Sequence, residues 1–560
     1  MAEWAVSTPD SPGGSLHTVT SVDCTADVRS EQIRSGNIFQ FLQAPFPGAP
    51  SPKPLGQSGT ADLERRGEDG DVAAIGSLSE GEFLRFWATF RVGPGEILSR
   101  TDLADRLAAD VAWLDQAIGR QLDGILHHRR FQALESAWRG LDWLVEQVDD
   151  AIGADQIHDS SHPVRVRLLN CSKRELHRDH SQAVEFDRSM LWRKIYEDEF
   201  GTAGGDPFGM LVVDHSFGIH PDDIDLLTGL AEVAAASFAP LVAAPEPDLL
   251  GVDSFADLNT GPTLESLYTT PQFTPWRSLK ALEETRFLGL ALPRILGRLP
   301  YDGWELCGAR SAQTEQSWAE RSFRYHEDVE GARGERRLWI NAGWALASVV
   351  VREFVRSGWF ADIRGASRGE EGSGLVAGLP IDDFAASEGL AFRGPTEVLI
   401  TESAEHRLSE AGFIPLCAAG SDGRAVFHSN QSLHRAKHYD SPRAAANARI
   451  SSMLQYMLCV SRFAHYIKAI ARNKVGSVSQ PDQLEAFLDE WIHSYATPDD
   501  HATPETRARL PLRAAQVEVR ETPGSPGAYR IVMHLQPHFQ LDDLASSIRL
   551  TTVIRRATPS

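Results

Sequence analysis

The sequence has few of the residues that build a disulfide framework, a membrane anchor or a secretion signal. It contains five cysteines among 560 residues, none of them in a CxxC pair, and this odd, scattered set is typical of reduced thiols. No apolar run approaches the ~20 residues of a membrane-spanning helix. The N-terminus lacks the basic and apolar regions of a signal peptide. We therefore expect a cytoplasmic protein without membrane insertion.

Basic residues are also scarce relative to acidic ones. There are 55 Lys and Arg residues against 77 Asp and Glu residues, a formal net charge of -22. Phosphate backbones are bound by basic surfaces, so this balance argues against nucleic acid as the main partner. A hydrophobic content of 42% is enough for a substantial core. The length allows about three or four domains of ~150 residues each.

No catalytic or cofactor-binding motif stands out. Asp214, His215 and Ser216 are the residue types of a catalytic triad, but neighbours along one strand cannot form its relay geometry. His127 and His128 diverge on a helix, and no HExxH motif accompanies them. The Gly-rich stretch EEGSGLVAGLP lacks the context of a dinucleotide site or a P-loop. The sequence therefore predicts no enzyme activity, no metal and no cofactor.

One polar cluster keeps an enzymatic alternative open. Arg462, His465 and Lys468 recur at intervals of three residues in a stretch with helical periodicity, so they occupy neighbouring positions on the helix surface. A polar face on a core-packed helix is the simpler interpretation. The alternative is a cytosolic α/β enzyme whose active site carries no familiar motif.

Composition divides the chain into four predicted regions. Residues 1–80 are rich in Ser, Gly and Pro and form a flexible arm, in which only residues 37–42 (NIFQFL) have the character of a docking segment. Residues 81–160 contain an aromatic segment and a helical hairpin, residues 161–390 form an α/β region, and residues 391–560 carry a long helix and a β-hairpin.

Periodicity within the α/β region predicts strands at 164–170 and 206–217, a helix at 222–239 and a strand at 240–244. Strand, helix and strand at this spacing indicate a parallel βαβ unit.

Further along, one long helix is predicted at 444–472. Three strands are predicted at 516–521, 529–535 and 547–554, and the turn TPGSPG joins the first two into a hairpin.

The most specific segment is 121–145, QLDGILHHRRFQALESAWRGLDWLV. It indicates two helices separated by a bend near the HHRR run. Its apolar residues recur at helical spacing and form one stripe, which consists of Phe131, Leu134, Trp138, Leu141 and Val145.

The string LHHRRFQALESAWRGLDWL resembles the large subunit of the type VI secretion contractile sheath, the TssC, VipB, EvpB or ImpC family. Members of that family carry a close version of LHHPxFQxLExxWRGLxxL. The resemblance covers roughly residues 100–555 in collinear order. Further matching strings are VRVRLLNCSKREL, DPFGMLVVDHSF, LALPRILGRLPY, LWINAGWALA, RFAHYIKAIARNKVGS and LQPHFQLDDLASSIRL.

The resemblance implies a mixed α/β (α+β), multi-domain fold that is contractile tail-sheath-like, with long helices and a C-terminal β-hairpin region open to strand exchange. It implies a structural subunit that pairs with a small sheath subunit (TssB/VipA-like) and with copies of itself around inner-tube hexamers, above a baseplate. Another contractile injection system is the alternative within this fold. The implied packing residues of the family signature are Phe131, Leu134, Glu135, Trp138 and Arg139.

Two expectations about the chain's ends follow from the resemblance. Strands at the C-terminal end are candidates for exchange between subunits, because a neighbour's strand can complete an open sheet. At the other end, relatives often carry a Leu-rich helix that a disassembly AAA+ ATPase recognises, and residues 1–80 hold no clear copy of it. The candidate assembly residues are Val517, Val519, Ile531, Met533, Leu535, Ile548 and Leu550.

Overall fold

The computed structural model divides the chain into two compact units, Met1–Trp113 and Leu114–Ser560. The arm segment predicted at 37–42 lies outside the described residues. The described residues are 80–93, 97–155, 162–200, 205–302, 325–329, 336–365, 373–386, 389–419, 423–437, 439–474, 481–499, 502–521, 529–538 and 548–554.

The first unit contains helix α1 (Glu80–Arg91) and the beginning of α2 (Arg100–Leu126). The aromatic segment is thus a helix. Trp87 is buried and donates its indole N–H to Asp110 Oδ2 at 2.8 Å, and Arg91 forms an ion pair with the same carboxylate at 2.9 Å. These contacts hold α1 against the N-terminal half of α2.

A second group of helices belongs to the larger unit. The bend predicted near the HHRR run is present, since α2 ends at Leu126 and α3 begins at Arg129. A short helical stretch at 190–200 contains a π-helical turn, Arg193–Glu197. The helices after α2 are α3 (Arg129–Asp155), α4 (Lys173–Gln182), α5 (Pro221–Ser237), α6 (Leu264–Thr269), α7 (Thr274–Lys280), α8 (Ala342–Ser357), α9 (Glu402–Glu410), α10 (Pro442–Ser451), α11 (Leu454–Lys474), α12 (Pro481–His493) and α13 (Pro504–Arg509).

The central sheet has six strands in the order β1-β2-β3-β9-β10-β6. Strands β1, β2, β3 and β9 are parallel to one another. Strand β10 is antiparallel to both of its neighbours, β9 and β6. Helix α5 connects β1 to β2, so the predicted parallel βαβ unit is confirmed. The strands are β1 (Leu211–Phe217), β2 (Leu241–Pro245), β3 (Leu288–Leu292), β6 (Leu375–Val376), β9 (Ile414–Ala419) and β10 (Arg424–Phe427).

Three smaller sheets complete the described strands. A three-stranded antiparallel sheet, in the order β11-β12-β13, confirms the predicted hairpin and third strand near the C-terminus. The other two sheets are the two-stranded pairs β4–β5 and β7–β8. The bounds are β4 (Ile295–Leu296), β5 (Trp339–Ile340), β7 (Asp382–Ala386), β8 (Gly389–Arg393), β11 (Leu512–Glu521), β12 (Tyr529–Pro537) and β13 (Ile548–Ile554).

Helix α8 is mostly buried and packs on the central sheet. It begins after Asn341, whose side chain accepts the N–H of Gly343, and it ends at Gly358 with a left-handed φ of 76°. Leu346, Val349 and other buried residues of α8 pack against Val242 of β2 and Ile414 of β9. Strands β2 and β3 are completely buried, as expected for parallel strands covered on both faces. The mixed α/β fold class is confirmed.

Two predicted elements differ from the structure. Residues 164–170 form no strand, because no strand of the described chain pairs with them. The long helix predicted at 444–472 is broken into α10 and α11 at Ser452 and Met453. The break occurs because the backbone N–H of Ser432 donates to Ser452 O and Leu454 N donates to Asn430 O, so a neighbouring loop replaces part of the helical hydrogen bonding.

Helix α3 approaches α8 closely at a single small residue. A Cβ atom on Gly140 would lie 2.5 Å from Trp344 Nε1 of α8. We expect Gly140→Ala to lower the free energy of unfolding by about 1–3 kcal/mol, because a methyl group cannot be added there without displacing the indole. Gly153→Ala on the same helix is the matched control, since nothing lies within 4 Å of its Cβ position. Chemical denaturation of both variants measures the difference, and equal stabilities would contradict close packing at Gly140.

Candidate assembly surfaces

Glu135 and Arg139 of the signature segment belong to a largely buried ion-pair network. Arg298, which follows β4, donates two hydrogen bonds to Glu327, at 2.5 Å from Nη1 and 3.0 Å from Nη2. Its Nε donates to Glu135 Oε1 of α3 at 2.7 Å. Arg139, one turn further along α3, donates to the same oxygen of Glu135 at 2.7 Å. Glu135 therefore bridges two arginines that come from different parts of the chain.

Further contacts join this network to α2. His127 Nε2 lies 3.2 Å from Glu327 Oε1, and Arg139 donates to the Tyr301 hydroxyl at 3.0 Å. The Tyr301 N–H donates to Glu327 Oε2 at 3.0 Å, and the Arg298 guanidinium lies 4.1 Å from the centre of the Tyr301 ring. The network fixes the ends of α2 and α3 to the residues around β4.

The electrostatics of the network follow from burial and pairing. Burial alone would raise the pKa of Glu327, but hydrogen bonds from Arg298 and from the Tyr301 N–H outweigh it and lower that pKa. Burial also opposes the charge on Arg298, yet its hydrogen bonds to Glu327 and Glu135 raise its pKa overall. Glu327 and Arg298 are thus held in their ionised forms, which suits a scaffold and not a proton-transfer site.

The apolar residues of the same signature are placed differently. Phe131, Leu134 and Trp138 are exposed, at 37%, 58% and 61%, so the packing predicted for them is not made within the described chain. The reason is that α3 contacts α8 through its adjacent face, where Gly140 and Leu144 are buried. Of the predicted packing residues, Glu135 and Arg139 are held by the network, while the three apolar ones form an open stripe.

Helix α2 carries a second open stripe within the larger unit. Its apolar residues Leu114, Ile118 and Ile125 recur at helical spacing and are all exposed. The two stripes together are called the open helix faces below. Monomeric proteins rarely leave such apolar stripes uncovered, so these faces have the character of an interface.

The C-terminal sheet holds the predicted assembly strands. The side chains of β11 and β12 proposed for assembly are buried against Phe463 and Leu488 of the helices behind the sheet. Ile548 and Leu550 of β13 pair with Leu535 and Met533 of β12. The buried set is Val517, Val519, Ile531, Met533 and Leu535.

The position of each strand decides which edges remain for a neighbour. Strand β12 is central, so Ile531, Met533 and Leu535 have both backbone edges paired within the chain. Strand β11 is partly capped: Leu512 exchanges hydrogen bonds with Tyr495 and Thr497, and the Val519 N–H donates to the carboxylate of Glu485 at 2.8 Å. Strand β13 pairs with β12 and with no other described strand.

The polar cluster on α11 does not form a reactive site. The Arg462 guanidinium lies over the rings of Phe354 and Tyr466, at 4.4 and 4.9 Å. His465 Nε2 lies 3.1 Å from the carbonyl oxygen of Ser237, and burial lowers the His465 pKa to about 4. These contacts are with rings and a backbone carbonyl, so the first two residues pack and do not act together.

Lys468 completes the cluster and is likewise enclosed by rings. Its Nζ lies 4.4 Å from the centre of the Phe238 ring and 5.1 Å from those of Tyr196 and Phe200. Burial lowers the pKa of Lys468 to about 8. The cluster as a whole therefore supports packing of α11 rather than catalysis.

The other candidate residues also bind separate partners. Asp214 accepts a hydrogen bond from the Trp344 indole at 3.2 Å, and burial raises the Asp214 pKa. His215 Nε2 lies 3.0 Å from the Cys171 carbonyl oxygen. Among the described residues, no group of His, Cys, Asp and Glu side chains is arranged to hold a metal ion. None of the helices in the described part of the chain is long and apolar enough to span a membrane.

Sequence reasoning missed the partners of Glu135 and Arg139. Arg298 and Tyr301 lie in the string LALPRILGRLPY. The resemblance of this string to the family is the feature of the sequence that could have drawn attention to them. Glu327 lies in RYHEDVE, which carries no familiar motif. The pairing of a buried acidic residue with an arginine distant in the sequence depends on tertiary structure. Local residue spacing gives no indication of it.

A chain with an internally paired polar network, open apolar helix faces and partly uncovered sheet edges has the surface of an assembly subunit. Known proteins point the same way. The protein-family model for the EvpB/VC_A0108 tail sheath N-terminal domain matches residues 108–434. The family model for the EvpB/VC_A0108 tail sheath gpW/gp25-like domain matches residues 443–554. The type VI secretion system sheath protein TssC1 of Pseudomonas aeruginosa is 36% identical over 464 residues, which span 82% of this chain and 88% of the relative. The chain belongs to the VipB/EvpB family of type VI secretion sheath large subunits.

Proposed function

We propose that this chain pairs with a small sheath subunit and that the pair polymerises helically around an inner tube. The observation that carries the proposal is the pair of open helix faces, on which Trp138 is 61% exposed. A second chain that covers Leu134 and Trp138 removes their apolar surface from water, which contributes about 25 cal/mol per Å² buried. The small subunit is the natural occupant, because copies of this chain alone would leave the sheath incomplete.

Polymerisation needs an interface that does not close on itself. A heterologous contact of this kind generates an open helix rather than a ring. The outer edge of β13 and the uncapped middle of β11, around Ala515 and Val517, provide backbone edges that a neighbour's strand can extend. Strand exchange at these edges would keep subunits joined while their rigid bodies rotate.

Contraction is then a change between two packings of one lattice. A difference of a few kcal/mol per subunit, summed over many copies, drives the tube outward. This motion needs no cofactor and no chemistry in the chain itself. The baseplate holds the extended form, and a separate AAA+ ATPase recycles the contracted one in the cytoplasm.

Co-expression with the cognate small sheath subunit tests the proposal. We expect striated tubules by negative-stain electron microscopy from the wild-type pair. Leu134→Asp and Trp138→Asp should each weaken the pair by about 2 kcal/mol or more, roughly 30-fold in affinity, because a charge replaces a buried anchor.

Val184→Asp provides the matched control, since Val184 is 94% exposed and lies in the loop after α4. It should assemble as the wild type does. A discrete monomer or dimer from the wild-type pair, with no tubules, would overturn the proposed function. Normal tubules from both α3 variants would mean that the stripe on α3 is not the interface with the small subunit.

A further inference from the structure

Residues 164–170 have the sequence of a strand but no strand partner among the described residues. The first four residues, VRVR, alternate between apolar and basic side chains, and the whole segment VRVRLLN forms neither helix, turn nor bridge. No backbone hydrogen bond joins them to another described residue. Leu168 and Leu169 are 64% and 51% exposed. A stretch of strand-like sequence whose backbone groups are unbonded and whose apolar side chains are uncovered has the character of a strand without its neighbour.

This unpaired segment runs along the free side of the central sheet. Arg165 pairs with Asp206 just before β1, and the Cys171 carbonyl oxygen, just after the segment, lies 3.0 Å from His215 Nε2 near the end of β1. Residues 164–170 and strand β1 therefore run in the same direction. Each of these contacts involves at least one side chain, so the segment accompanies β1 without forming a hydrogen-bonded ladder with it.

Among the described strands, β1 has no neighbour on that side. At the end of β1 the carbonyl of Phe217 faces β2, since it accepts a hydrogen bond from Glu246 N. The carbonyl of the preceding residue, Ser216, therefore faces away from β2. It accepts a hydrogen bond from Lys173 Nζ at 2.7 Å. A lysine side chain therefore occupies one position where a neighbouring strand would otherwise bond.

We propose that residues 164–170 bind an extended strand of the small sheath subunit and thereby add a strand beside β1. This inference rests on the proposed function, which supplies the second chain. Hydrogen bonds between main chains would give the affinity, and side chains on alternate positions would give the specificity.

Charge indicates the chemistry of the incoming strand. Side chains of Arg165 and Arg167 remain 70% and 45% exposed although each has an internal carboxylate partner. Arg174 and Arg178, on the following helix α4, are exposed as well. This basic strip lies in a chain whose net charge is -22. The strand that fits it alternates apolar and carboxylate side chains.

A second copy of this chain is a poor occupant of the same segment. Antiparallel pairing of two segments centred on Arg167 would place the two Arg167 side chains directly opposite each other. Parallel pairing in register would align Arg165 with Arg165 in the same way. Like charges on paired positions destabilise a sheet, so the complementary strand belongs to another chain.

Hydrogen exchange measured by mass spectrometry tests the inference on the full chain, alone and in the purified complex with the small sheath subunit. We expect amides of residues 164–170 to exchange about tenfold or more slowly in the complex, because ladder hydrogen bonds protect them. Unchanged exchange in a complex that forms tubules would overturn the strand inference and leave the proposed function intact. Failure of the wild-type pair to associate would overturn the proposed function itself.

A proline variant supplies the second measurement. Val166→Pro removes one backbone donor from an exposed segment, so the chain should keep its thermal stability while its affinity for the small subunit falls about tenfold. Val184→Pro, in an exposed loop, is the matched control and should bind normally. Equal binding by both proline variants would contradict the inference, as would protection of 164–170 in self-associated chains without the small subunit.

Discussion

Replacement of Arg298 by methionine should lower the free energy of unfolding by about 3–5 kcal/mol, because it leaves buried carboxylates without their partner. The side chain of Glu327 is 1% exposed and that of Arg298 is 8% exposed, so water cannot take over the lost hydrogen bonds. Glu135 would keep only Arg139. Urea denaturation followed by tryptophan fluorescence at pH 7 measures the loss.

An exposed ion pair gives the comparison. Arg336 pairs with Asp328 where both side chains are about half exposed, at 50% and 52%, and Arg336→Met should change stability by less than about 1 kcal/mol. The double variant Arg298→Met with Glu327→Gln should recover part of the loss, since it removes the unpaired charge. If Arg298→Met were no more destabilising than Arg336→Met, the network would not fix α3 to the core.

The loss of unfolding free energy in Arg298→Met should also depend on pH, and it should be smaller at acidic pH. Because the pKa of Glu327 is lowered in the folded chain, its contribution to stability is present above the unfolded pKa and disappears as the pH falls below about 4.5. In Arg298→Met the carboxyl of Glu327 is still buried but has lost the arginine that balances its charge, so protonation is less costly. The difference between wild type and variant should therefore narrow on acidification.

Local periodicity and turn chemistry are sufficient for the elements that the sequence predicts correctly. The βαβ unit at β1, α5 and β2 follows from apolar runs of the right length, and the β11–β12 hairpin follows from the turn TPGSPG between alternating strands. The break at Ser452 was missed, because its carbonyl is bonded by a loop that is distant in the sequence. Helical propensity on both sides of the break gives no sign of such a contact.

The candidate surfaces illustrate a second limit of periodicity. Helical spacing correctly places Phe131, Leu134 and Trp138 on one stripe, but it cannot tell whether the covering surface belongs to the same chain. Likewise, alternation at 164–170 reports a preference for extended structure and not the presence of a neighbouring strand. In both places the described residues of one chain leave the sequence pattern unsatisfied, and the proposed assembly would supply the second chain that satisfies it.

Replacement of Glu353 by glutamine should make the protein more stable at alkaline pH. Glu353 lies in α8 and is 4% exposed, and burial raises its pKa to about 8, with Asp362 adding to the effect and Arg356 and Arg352 opposing it. Between the unfolded pKa near 4.5 and about 8, the folded chain therefore binds a proton that the unfolded chain has released. Stability from this group is complete below pH 4.5 and falls as the pH rises.

The glutamine variant should remove that dependence. Its side-chain oxygen can still accept the hydrogen bond that Ser357 Oγ donates to Glu353 Oε1 at 2.7 Å, while no charge has to be buried. Wild type and Glu353→Gln should have similar stabilities at pH 4.5 and differ by about 1–4 kcal/mol at pH 8, in favour of the variant. Denaturation curves across this range measure the difference, with Glu185→Gln in an exposed loop as control. Parallel pH profiles for the two variants would mean that Glu353 is hydrated in solution, and the close packing of α8 around it would then be wrong.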